Sequence, residues 1–152
     1  MSASSDPLVR LLGVIQSGLS LYLADSGIGS YPGAGEVRDA LAALAGDQRR
    51  LVERAREVLV DREQVPPRPH YPLAFTAVHD LDLAALLARV LGDLHRQVPV
   101  LETIAAAAGE DAAATALASE AVASSRRHAT TLEQIAVRLR AGLGRQATAA
   151  HA

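Results

Sequence analysis

Residues 64–72 read QVPPRPHYP, and four prolines in nine positions exclude a helix there, because each proline removes a backbone donor and fixes φ. The stretches on either side carry the apolar spacing of long helices. The chain must therefore leave one helix and reach the next through an extended segment. From Gln64 to His79 this connection has 16 residues and can reach about 50 Å at about 3.3 Å per residue. The preceding helix, predicted over 36–63, would be about 42 Å long. The connection can thus return along the whole length of that helix and leave the second and third helices parallel. An up-and-down bundle would need only a short turn.

Four segments show apolar residues at alternating steps of four and three. The first helix is predicted over 7–25, with Asp6 as N-cap, Pro7 in the first turn and Leu8, Leu12, Ile15, Leu19 and Tyr22 on one face. The run DSGIGSYPGAG ends it with glycines and a proline. The second helix, 36–63, aligns Val37, Leu41, Leu44, Gln48, Leu51, Ala55 and Val58. The third, near 80–108, starts at Asp80 or Asp82 and aligns Leu83, Leu87, Val90, Leu94, Gln97, Leu101 and Ile104, with a kink expected at Pro99. Gly109 breaks it, and Asp111 caps a fourth helix over 110–143, with Ala118, Ala121, Ser125, His128, Leu132, Ile135 and Leu139 in line. The short third-to-fourth connection makes those two antiparallel neighbours.

No run alternates with period two long enough to compete as a strand, so the fold class is all-α, a four-helix bundle. One domain, 7–143, is expected between a flexible N-terminus (1–6) and a flexible C-terminal tail (144–152). Apolar residues make up 49 % but aromatics only 3 %, which favours close helix approach through Ala, Leu and Val. The chain has no Cys, excluding disulfides, thiolate ligands and thiol catalysis. A formal charge of −2 gives no general attraction to nucleic acid or to acidic membranes. No signal peptide is visible, and the uncharged stretch Leu11–Ala24 is too short to span a bilayer. A cytoplasmic protein without membrane or nucleic-acid partners is expected.

Four helices with a long crossover between the second and third resemble the ferritin-like superfamily, over about residues 7–143. In its di-metal members, the first and third helices each give a Glu and the second and fourth each give Glu-x-x-His. On the inward stripes here the fourth helix offers Ser125 and His128, the second Gln48 and Leu51, the third Gln97, and the first Ile15 or Leu19 with Gln16 beside them. Only His128 matches a ligand of that pattern. A frame shifted by one gives Asp47-x-x-Arg50, a cation in place of the imidazole. Gln and Ser are poor substitutes for bridging carboxylates. Gln48, Gln97, Ser125 and His128 are therefore expected to form a polar core layer, a degenerate site whose members satisfy one another's hydrogen bonds and set helix register.

Other motifs read as ordinary structure. DQRRLVERARE mixes both charge signs, as a solvated helix face does. HDLD (79–82) reads as a helix cap, with His79 on the surface. Tyr71, Leu73 and Phe75 are expected to pin the crossover to the bundle. The resemblance and the missing ligands together imply no cofactor, no metal and no catalytic residue. The expected role is a non-catalytic structural or interaction module, forming a homodimer or binding an unidentified protein. The alternative is a metal-binding oxidoreductase or storage protein with a degenerate or intersubunit site.

Overall fold

The computed structural model describes residues 6–26 and 35–150, and most of these are helical, with no strand among them. Five α-helices follow in order: α1 (Pro7–Gln16), α2 (Leu19–Ser26), α3 (Gly35–Asp61), α4 (Leu83–Ala107) and α5 (Ala112–Ala150). A 3-10 segment, Leu73–Asp80, precedes α4. Residues 1–5, placed in a flexible N-terminus, and 27–34, within the first expected loop, lie outside the described residues.

Acidic caps start the helices where the sequence places them. The Asp6 carboxylate accepts from the Leu8 N–H at 2.8 Å, Asp82 from the Ala85 N–H at 2.8 Å, and Asp111 from the Ala114 N–H at 3.1 Å. Each satisfies a donor that has no partner within its own helix. α3 ends through Glu63, whose φ of 58° lets Gln64 N–H return to the Leu59 carbonyl at 2.9 Å. α4 passes through Pro99 without interruption.

Three expectations change. The first helix is not continuous over 7–25: it breaks at Ser17–Gly18, and α1 and α2 meet at a bend of 55°. The Asp93 carboxylate of α4 accepts the N–H of Leu19, the first residue of α2, at 2.9 Å. It thereby supplies a partner that a continuous helix would have supplied from within. Glycine fits here because a Cβ on residue 18 would lie 2.5 Å from Gln97 Nε2. At the other end, α5 continues to Ala150, beyond the expected stop near Leu143. Gln146 to Ala150 include no proline, and Ala and Gln have good helix propensity. Finally, Leu73 does not pin the crossover: it is 86 % exposed.

Tyr71 and Phe75 are half-buried, and they do hold the connection. Both rings lie against Tyr22 of α2, at centroid distances of 5.2 and 5.5 Å. The Tyr71 hydroxyl donates to Asp25 at 3.1 Å, and burial followed by that bond pushes its pKa up to about 12. Further back, Gln16 Nε2 donates to the Pro67 carbonyl at 2.9 Å. The proline-rich segment is thus fixed against the α1–α2 corner.

Cross-helix polar pairs run in order between α3 and α5. Glu36 pairs with Arg138, Asp47 with His128, Arg54 with Glu120, and Arg62 with Asp111. Numbers rise on α3 as they fall on α5, so the two helices are antiparallel. α4 and α5 are antiparallel as well, with His95 against Glu133 and Glu102 against Arg126. Among the described residues no single helix is long and apolar enough to cross a membrane. The α1–α2 pair is apolar enough when taken together, but its Leu8, Leu11, Leu12, Ile15, Leu19 and Leu23 are buried in the core.

Candidate functional site

The apolar interior divides into two clusters. One holds Leu8, Leu12, Ile15, Leu51, Leu59, Leu101, Ile104 and Ala118. The other holds Leu19, Leu23, Leu41, Leu44, Leu87, Leu94, Leu132 and Ile135. Buried polar residues interrupt the stripes where one cluster gives way to the other: Gln16 between Ile15 and Leu19, Gln48 between Leu44 and Leu51, Gln97 between Leu94 and Leu101, and Ser124 and Ser125 before Ala129. Among the described residues, Leu21 and Ala45, and the partly buried Ala24, reach across this division. The heptad spacing that buries the leucines carries Gln48, Gln97 and Ser125 inward with them.

Gln48, Gln97 and Ser125 are 3 %, 6 % and 5 % exposed, and His128 lies at the edge of the interior. Among the described residues, none of the four hydrogen-bonds to another of the four. That corrects the expectation of a self-satisfied layer. Gln97 donates instead to Asp93 at 3.2 Å, and His128 Nε2 lies 2.6 Å from Asp47 Oδ2. A carboxylate is a stronger acceptor than a neutral amide or hydroxyl, and each of these is in reach. The Oε1 atoms of Gln48 and Gln97, and the Oγ atoms of Ser20 and Ser124, are buried without a hydrogen-bond partner.

Asp47 also pairs with Arg50 one turn along α3, so the shifted Asp47-x-x-Arg50 frame is an internal ion pair that His128 joins from α5. Burial, and then the neighbouring Arg127 charge, push the His128 imidazole below its ordinary pKa. The Asp47 carboxylate, shared with Arg50, does not reverse this. The lowered pKa favours the neutral imidazole, and the tautomer that carries Nε2–H donates to the Asp47 carboxylate.

Beside this pair, α3 and α5 leave a cavity of about 250 Å³, lined by Asp47, Arg50, Leu51, Arg54, Glu120, Ser124 and Arg127. Sequence spacing picked out Ser125 and passed over Ser124, because Ser124 is off the four–three stripe. Sequence spacing marks Asp47 only through the shifted Asp47-x-x-Arg50 frame and does not mark Asp93 or Gly18, because all three act through residues distant in sequence. Among the described residues, no group of three or more His, Asp or Glu is placed to share a metal ion. Compared with family models, curated proteins and solved structures, the chain gives no significant match.

Proposed function

We propose that this chain is a non-catalytic, cytoplasmic four-helix bundle of ferritin-like order, serving as a structural or protein-interaction module. The order is supported by the ion pairs: α3 and α4 each run opposite to α5, which makes them parallel to one another. A connection between parallel helices has to travel back along the bundle, as the proline-rich segment is long enough to do. α1 and α2 count as one bent helix in this reading.

The observation that carries the non-catalytic reading is the content of the mid-bundle layer. The inward positions hold Gln48, Gln97 and Ser125, which cannot neutralise a pair of divalent ions. The carboxylates that meet this layer are already engaged: Asp47 by His128 and Arg50, and Asp93 by Gln97 and the Leu19 N–H. The surface best suited to a partner is a groove of about 500 Å³ between α4 and α5, with Leu87, Leu91 and Leu139 in its lining and Glu133 and Arg140 among the polar groups there. Val137, in the same lining, is 57 % exposed.

Light scattering after gel filtration tests the module reading through self-association. A dimer that Val137→Arg converts to a monomer supports this groove as the contact. The competing reading is a metal centre completed by a second copy, and the Asp47–His128 pair motivates it. Elemental analysis of untagged protein separates the two: stoichiometric iron, manganese or zinc, lost on His128→Ala, overturns the non-catalytic proposal. Fractionation of cells producing the chain checks the compartment.

A further inference from the structure

We infer that the cleft between α3 and α5 beside Asp47 is a binding site for a small phosphate-type dianion, either inorganic phosphate or a compact phosphomonoester. Three arginines, Arg50, Arg54 and Arg127, are among its lining residues, with two acidic residues, Asp47 and Glu120. Both carboxylates are spoken for: Asp47 pairs with Arg50 and Glu120 with Arg54. Arg127 has no ion pair among the described residues. The cleft therefore keeps one uncompensated cation.

Ser124 supplies the second, independent feature. It is 5 % exposed and lines the cavity, yet its Oγ has no hydrogen-bond partner. A buried hydroxyl left unpaired carries a desolvation cost that a bound acceptor removes. A tetrahedral dianion can take that hydroxyl on one oxygen and guanidinium N–H groups on others, where a planar carboxylate would be used up by a single bidentate arginine. The cavity, about 250 Å³, lies below the roughly 300–1,000 Å³ of sites for drug-sized ligands. No aromatic side chain lines it and carboxylates flank it, which disfavours a nucleic-acid strand.

Calorimetric titration of the full chain at constant ionic strength, with inorganic phosphate in one arm and glycerol 3-phosphate in the other, tests this. Saturable one-to-one binding is expected in at least one arm, and the tighter arm identifies the source. Arg127→Gln should weaken it by at least about tenfold, and Ser124→Ala by several-fold, which is roughly 1 kcal/mol per fivefold. Circular dichroism melting checks that both variants are folded. Phosphate should also shift the NMR resonances of Ser124 and His128 in the unaltered chain, a readout that needs no variant. Lack of saturation in both arms, equal affinity in folded variants, or shifts confined to other residues overturns the proposal.

Discussion

Asp93 on α4 and Leu19 at the start of α2 are joined by a 2.9 Å hydrogen bond across 74 positions of sequence. That bond explains why an apolar stretch readable as one helix is two. The same Asp93 oxygen accepts from Gln97, so one carboxylate fixes both the bend and the orientation of a buried amide.

Asp93→Ala should therefore be costly. It removes a cap and strands two donors, at roughly 1–3 kcal/mol. Asp93→Asn should recover most of the loss, since an amide oxygen still accepts. Urea denaturation checks the order; equal stability of all three proteins would sink this account of the bend.

At Gly18 an added methyl would lie 2.5 Å from Gln97 Nε2. Gly18→Ala should cost about 1–3 kcal/mol through overpacking, because Gln97 is buried and held by Asp93. With Gln97→Ala in the background the closest obstacle is gone, leaving the Ile15 carbonyl at 3.3 Å. A double-mutant cycle should show coupling above about 0.5 kcal/mol, and simple additivity would mean the close approach is harmless.

A self-satisfied polar layer would make Gln48 expensive to replace. Its Oε1 is instead buried and unpaired, so no acceptor's partner is left stranded by its removal. Gln48→Leu is expected to be neutral or to stabilise by about 1 kcal/mol. Thermal melting decides this, and a loss above about 1 kcal/mol would point to a partner for the amide.

Because the folded pKa of His128 is lowered, the unfolded chain binds the proton more readily. The associated stability is complete above the ordinary value near pH 6.5 and falls as the pH drops toward the lowered folded value. His128→Gln should flatten the stability profile in the window just below pH 6.5. An unchanged slope would assign the pH dependence to other groups.

Much of the fold is legible because it depends on local chemistry. Asp6, Asp82 and Asp111 cap from within three residues of the N–H they serve, and the predicted stripe from Leu83 to Ile104 is buried along its length. The bend at Gly18 is not legible, since its cause lies on another helix. Nor is the partner of His128. Spacing places the imidazole on the inward stripe, but a straight helix drifts about 20° per heptad, and small rotations decide whether an edge residue meets the interior or a flanking carboxylate. Asp47 sits beside its own helix's stripe, where no periodic pattern marks it.

The order of charges along α3 and α5 carries one more consequence. Glu36 lies near the start of α3 and Arg62 just past its end, while Asp111 precedes α5 and Arg138 lies far along it. If α5 were threaded in the opposite sense, acid would face acid at one end and arginine would face arginine at the other. Like charges held opposite one another repel, whereas the native pairs, being exposed, add little apiece. The charge order thus works as a polarity key: it discourages the reversed assembly more than it strengthens the correct one, in an Ala- and Leu-rich interior with little shape of its own to tell the two directions apart.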